Sequence, residues 1–472
     1  MPAATGPLVG WVWHELEASL TTATPPEAHR RQRSRAIAHR PRQNLEVSTD
    51  VEQLPVADEV IRRTQIVDLA RSVPLGVLLP LETSVLLMIA IKHFDASPLT
   101  KGMIAASGGV GLLVSPFVTS LTRHLGRTAM SMASAISLIG VAGFLLAATG
   151  PMPLFVIGVI IGMASANSIL TLVTFTYDRN FPAHERGKRV GHGLTIKVAV
   201  SATLAMAMGA WLNNHLDLWW IVVLAGAAAS LALSFLHARM PTETIDRVVG
   251  SQSRVWPHFE LLKEDRQLRL TLIAWMFMGF GNLMLLPLRV EYLAQPKYGI
   301  EADPAKITLL TVAIPSVFRL LCTPVFGRLF DRISFFASRI IVNLLFALYV
   351  VAFFTGSSDI GLWIGAITIG IAIAGGDLMW MLWVTKFAPP GRVADYMGLH
   401  AFFTGTRAVS APLVAFLVID QVSLGWVAAI SAALMVVSAL VLVPEVRAER
   451  RIKLGRTDID GVIDPIRVIA GD

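Results

Sequence analysis

Pro324-Val325-Phe326-Gly327-Arg328-Leu329-Phe330-Asp331-Arg332 closes one long apolar stretch and leads, through a short basic turn, into another. A faded twin stands 208 residues earlier: Pro116-Phe117-Val118-Thr119-Ser120-Leu121-Thr122-Arg123-His124-Leu125-Gly126-Arg127. Two such turns, nearly half the chain apart, predict an internal duplication. Gly158 with Gly365, and Arg186 with Arg392, keep almost the same offset.

Composition says what is duplicated. Of 472 residues, 54% are hydrophobic and 15% charged, with a mean hydropathy of +0.61. Soluble domains are about a quarter charged. Apolar runs recur that are long enough to cross a bilayer core of about 30 Å as helices. The net charge of +7 sits in tails and short turns, a pattern suited to an anionic membrane surface. No basic, aromatic-interleaved soluble segment suggests a nucleic-acid partner. The single Cys322 allows no intrachain disulfide and no cysteine-based metal site. No metal ligand set, catalytic motif, Gly-rich phosphate loop or nucleophile elbow stands out, so no cofactor or enzymatic chemistry is expected.

Hydropathy predicts twelve spans, roughly 66–91, 100–121, 129–149, 152–176, 190–212, 217–237, 270–292, 305–327, 337–355, 360–384, 393–418 and 423–443. The expected plan is all-α: a basic tail with a juxtamembrane amphipathic segment (1–65), a six-helix half (66–237), a polar loop (238–269), a second six-helix half (270–443) and a charged tail (444–472). Met1–Leu20 lacks a basic start and is interrupted by His14, Glu15 and Glu17, so it does not read as a signal peptide. One alternate set of loops holds only Lys92, Lys101, Arg289, Lys297 and Lys306. The other holds the cations of the two turns, of Arg179–Arg189 and of Arg239–Arg269. The positive-inside rule then puts both tails in the cytoplasm, in an integral multi-pass protein expected in a bacterial inner membrane.

With the turn, the twelve spans and the repeat in hand, the sequence resembles the major facilitator superfamily. That family carries a G-x-L-x-D-R-x-G-R turn after its second span, often repeated after the eighth. Gly327, Arg328, Asp331 and Arg332 match the second copy, and Gly126 and Arg127 keep the first, where Thr119 and Arg123 depart from Gly and Asp. The resemblance implies two six-helix halves and secondary transport by alternating access of a small solute, by a monomer in the lipid bilayer. It also implies a close helix crossing at the small residue of the turn, latched by a carboxylate and arginines. The fifth span, Val190–Leu212, lacks the Gly-Pro signature of the family's proton antiporters.

Ionisable residues inside spans cost roughly 2.5–3.5 kcal/mol to insert and so become functional candidates. Glu82 follows Pro80 near the middle of the first span and is a candidate proton acceptor. Arg319 and Arg407 fall near the middle of the eighth and eleventh spans and could hold a carboxylate or phosphate. Arg319 could instead pair structurally with Glu82 or Asp377. Asp377 follows two glycines in the tenth span, and Trp380 offers a flat wall beside it. Lys197 reads as a snorkelling residue two turns inside its span, and Asn167, Asn282 and His400 as polar glue between helices.

The favoured expectation is transport of an anionic or zwitterionic solute, with Glu82 or Asp377 coupling it to protons. Export of cationic or lipophilic compounds through the same carboxylates is the first alternative. A transporter-like sensor or scaffold acting through the basic tail is the second.

Overall fold

The computed structural model describes residues 57–245, 259–355, 359–388 and 393–460. The basic tail, the middle of the central loop, Arg392 and the side chain of Asp331 lie outside the described residues. Among the described residues are twelve helices long and apolar enough to cross a membrane. They are α1 Asp58–Lys92, α2 Pro98–His124, α3 Ala129–Ala147 and α4 Met152–Asn180. Next come α5 Ala183–Asn214, α6 Trp219–Arg239 and α7 Arg266–Ala294. α8 is built of Pro304–Thr308, Leu309–Ala313 and Ile314–Arg332. α9 is Phe335–Phe354, α10 Asp359–Phe387, α11 Val393–Val418 and α12 Leu424–Asp460.

Helix starts follow local chemistry. Ser97, Thr128, Asp265, Asp303 and Ser334 each accept a backbone N–H of the first turn, capping α2, α3, α7, α8 and α9. Pro98 and Pro304 follow two of these caps, where their missing N–H costs nothing. Two helices are widened by π turns, Leu81–Val85 in α1 directly after Pro80 and Leu309–Ala313 in α8 just ahead of Pro315. A proline inside a helix removes a backbone bond and crowds the preceding turn, which is where such widening occurs.

The amphipathic segment read as a lead-in is not separate from the first span. α1 runs unbroken from Asp58: Asp58, Glu59 and Arg62 stay exposed, whereas Thr64, Asp68 and Arg71 are buried where α1 packs against α4, α5 and α6. α12 continues to Asp460, well into the stretch read as a charged tail.

Packing exposes the duplication. Within the first six helices, α1 packs on α5 and α6, α2 on α4, and α3 on α4 and α6. Each pairing recurs six helices later: α7 on α11 and α12, α8 on α10, and α9 on α10 and α12. The glycine pair found in the sequence does the same job in both sets. A methyl at Gly158 would strike the α3 backbone at Gly143 and Ala147, and one at Gly365 would strike Phe353 of α9. Across the two sets, α2 packs on α11 and α5 on α8, again a matched pair.

The end of the bundle where α1 begins and α12 finishes is called here the termini end, and the other the far end. Contacts between the two sets concentrate toward the far end. Lys101 of α2 pairs with Glu291 of α7, and Gly209 of α5 meets Thr308 and Pro304 of α8. Deeper in, the two π turns meet, and Thr311 Oγ1 donates to Ser84 Oγ at 2.9 Å. Gly102 approaches Leu413, Gly109 approaches Ala408 and Gly405 approaches Leu113, which lets the α2 and α11 backbones close up.

Candidate functional site

The π turn of α1 presents Glu82 midway through the bundle. Its side chain is exposed although helices surround it, so it faces the open space between the two sets. Asn167 Nδ2, two residues before the break in α4 at Ile169, donates to Glu82 Oε1 at 3.0 Å. Gly108 of α2 makes the room: a Cβ there would fall on that same oxygen. Glu82 has no ion pair at contact distance among the described residues.

Lys197 is the cation in electrostatic reach of Glu82, and Arg319 and Asp377 lie in reach of it too. The snorkelling reading of Lys197 considered only its place along the span. α5 begins at Ala183, so Lys197 lies about 21 Å along that helix, half-buried and within electrostatic reach of groups from both six-helix sets. Sequence reasoning did not count it among the site residues.

Arg319 of α8 and Asp377 of α10 form an ion pair, Nη2 to Oδ2 at 2.5 Å, partly open to solvent. Thus Arg319 takes the structural partner that the sequence left open. Four ionisable heads, two acidic and two basic, therefore gather from α1, α5, α8 and α10, with Asn167 beside them. Such a set can hold both ends of a dipolar solute, or hydrogen-bond a neutral one, without a large net charge.

Arg407 sits in different surroundings. It is buried in α11, donating through Nη1 to the Trp275 carbonyl at 2.6 Å and through Nη2 to Thr404 Oγ1 at 3.1 Å. Gly279 of α7 leaves room for its guanidinium. Trp380 packs near His400, with ring centroids 5.4 Å apart, and His400 is fully buried. Asn282 is half-buried, with a buried carbonyl oxygen that has no partner.

A second buried network occupies the termini end of the first six helices. Asp68 accepts from Arg71 Nε at 2.8 Å and from the Tyr177 hydroxyl, and Arg71 Nη2 contacts that hydroxyl at 2.5 Å. His237 lies 3.4 Å from Arg71 Nη1 and 3.2 Å from Ser137 Oγ. The i, i+3 spacing of Asp68 and Arg71, at the very start of the first predicted span, is the sequence signal for it.

A depression of about 490 Å³ lies at the far end, lined in part by Tyr292, Lys297, Tyr298 and Asp420, away from the central ring. Burial works against the Lys297 ammonium there. Tyr298, Asp420 and Glu291 outweigh it and raise its pKa above the ordinary value. Burial, ahead of the nearby Lys297, raises Tyr298.

Comparison with known proteins now decides the family. The Major Facilitator Superfamily model matches residues 66–406. The chain belongs to this superfamily. It is thus an integral multi-pass membrane protein with a transporter fold. No curated protein matches it in sequence. Among solved structures it is similar to a mutant form of the nucleoside transporter NupG, at 16% identity and a TM-score of 0.62, covering 81% of this chain and 98% of that one. The D-xylose-proton symporter is similar at 16% identity and a TM-score of 0.62, covering 81% and 97%. The inward open conformation of the xylose transporter XylE from E. coli follows at 16% identity and a TM-score of 0.60, covering 81% and 95%. At this identity the likeness shows the fold.

The superfamily turns look different from their expectation. Gly126 takes φ +62°, a left-handed turn that glycine adopts without strain, and Thr128 just beyond bridges to Thr244. Gly327 makes no close crossing: a Cβ there would meet nothing within 4 Å. Arg127, Arg328 and Arg332 are exposed. At Gly327 the close crossing is absent in this state, in which the two sets meet toward the far end and the turns stand at the termini end, whereas in the first turn Thr119 Oγ1 lies 2.5 Å from Thr171 Oγ1 of α4.

Proposed function

We propose that this superfamily member is a secondary transporter for a small polar solute, zwitterionic by preference, working by alternating access. The observation that carries the reading is the balanced set of Glu82, Lys197, Arg319 and Asp377, drawn from both six-helix sets, with Asn167 bonded to Glu82, Arg319 paired with Asp377 and Lys197 in electrostatic reach of the other three. Glu82 is the group that takes and releases a proton, because it holds one amide bond and no ion pair. Solute binding between Lys197 and Glu82 changes the cost of that proton, which couples the two. Closure at the far end and a ring open to solvent support a conformation accessible from the termini end, taken here as cytoplasmic from the distribution of basic residues.

Arg319 is neutralised by Asp377, and Arg407 belongs to another cluster. The sequence preference for an anionic or zwitterionic solute therefore narrows toward the zwitterionic one. A neutral polar solute is the second reading, favoured by that charge balance. The similar structures include transporters named for a nucleoside and for xylose. The test uses proteoliposomes loaded with a pH dye. Adding each of a panel of amino acids, betaines, pentoses and nucleosides should move internal pH for at least one class, and Glu82→Gln should abolish that movement. Solute uptake undiminished in Glu82→Gln, with the pH change intact, would overturn the assignment.

A further inference from the structure

The last six helices bury a cationic cluster that the transport site does not use. Arg339 lies in the first turns of α9 and is 2% exposed. Its guanidinium carbon stands 3.7 Å from the centroid of the Trp275 ring, and neither Nη1 nor Nη2 has a hydrogen-bond partner. Arg407, 4% exposed, stands 5.6 Å from the same ring, and its Nε has no partner. His400, 0% exposed, meets that indole edge-on at 5.0 Å, and both of its ring nitrogens are unpartnered. Trp383, edge-on to His400 at 5.2 Å, has an unpartnered Nε1, as does Trp275 itself.

Two permanent cations are thus gathered about one indole, and among the described residues no ion pair joins either to a carboxylate. Buried guanidiniums without a counter-charge are costly in a low dielectric, by several kcal/mol each. Cation–π contact with Trp275 offsets only part of that cost. Native proteins rarely leave such groups unpaired, and those left over call for a missing partner. Every unpartnered atom named here is a donor, save that a neutral imidazole offers one donor and one acceptor. A ligand for this cluster is therefore chiefly an acceptor carrying negative charge.

We propose that Arg339, Arg407, His400, Trp275 and Trp383 form a site for a small inorganic anion, a halide or an oxyanion, held as a resident counter-ion of the second six-helix set. The unpartnered atoms are closed to solvent, so the anion is retained and is not the transported solute. This goes beyond the transport reading and does not depend on it.

The test uses the full chain in detergent, exchanged exhaustively into gluconate. Chloride, sulfate, phosphate or acetate is then titrated at constant ionic strength, with a separate arm adding phosphatidylglycerol in place of phosphatidylcholine. At least one anion should raise Tm saturably, and Arg339→Gln should lose that rise, whereas the exposed Arg328→Gln retains it. A rise with phosphatidylglycerol alone assigns the same chemistry to a lipid headgroup and overturns the resident inorganic ion. Equal Tm in gluconate and in every other arm overturns the site, as does an unchanged rise in Arg339→Gln. Should that variant fail to fold, iodide quenching of wild-type tryptophan decides. Saturable quenching displaced by the stabilising anion supports the site, and linear quenching that no anion displaces overturns it.

Discussion

Lys101 Nζ lies 3.0 Å from Glu291 Oε1 and 2.9 Å from Oε2, a buried ion pair that joins α2 to α7 at the far end. Lys101 sits just inside the first turn of α2 and Glu291 in the last turn of α7, so the pair spans the two six-helix sets. For the far end to open, this contact must break. Losing one partner of a buried pair leaves the other charge uncompensated, at about 3–5 kcal/mol.

Glu291→Gln should therefore shift the protein toward the far-open state. A cysteine introduced along α2 at the central space should label faster from the far side than in the parent. The exchange Lys101→Glu with Glu291→Lys should bring the rate back only in part, because Lys297 also lies 3.8 Å from Glu291 and would face the new lysine. Unchanged labelling in Glu291→Gln would remove the gate from the account.

Gly108 tests the seat of Glu82. A methyl there would collide with Glu82 Oε1 and press on the neighbouring Asn167 amide, so the carboxylate must swing off its bond to Asn167. Gly108→Ala should cut transport at least tenfold with little change in Tm, because the flexible carboxylate moves while the helices stay. Gly109→Ala is a different case, since its methyl would strike the Ala408 backbone; it should lower Tm. Equal effects of the two changes on Tm would contradict this distinction.

Arg319 and Asp377 should behave as a unit. Asp377→Asn leaves Arg319 without its partner beside Lys197, and Arg319→Gln leaves the carboxylate alone. Both sites are partly open, so single changes should cost stability only modestly. The double change should be closer to wild type than the sum of the singles, with a coupling of about 0.5–3 kcal/mol measured by denaturation in detergent. Strict additivity would mean that the 2.5 Å contact carries no energy.

The turn after α2 offers a backbone test. Gly126 adopts φ +62°, which a side chain strains, so Gly126→Ala should cost about 1 kcal/mol, read as a lower Tm. Gly327→Ala meets open space and should be neutral in this state. If Gly327→Ala instead destabilises the protein as much as Gly126→Ala, the second turn packs as its sequence first suggested.

Much of the fold was legible because hydropathy and charge asymmetry act over whole spans. The repeat showed itself in Gly158 and Gly365, which prove to be equivalent close-approach points. The site was legible only in part. Glu82 and Asp377 stood out as acids in apolar surroundings, but pairing is set by helix packing, which no local pattern encodes. Arg319 met Asp377 rather than Glu82 for that reason. Lys197 and Arg339 were passed over because each lies in the first half of its helix near other cations, and what covers it is set by helix packing rather than by any local pattern. Arg407 was found by its depth, and its neighbours, Trp275 and His400, could not be guessed from spacing.

The most direct measurement is a thermal-shift screen of the purified wild type and Glu82→Gln against matched solutes that are zwitterionic, neutral, anionic or cationic. A ligand that binds only the folded state at 100 times its Kd adds about 2.7 kcal/mol, enough to move Tm. The account predicts a saturable rise in wild type with at least one zwitterionic or neutral polar solute, weakened or lost in Glu82→Gln. A rise with lipophilic cations alone, or one that Glu82→Gln leaves intact, would contradict it.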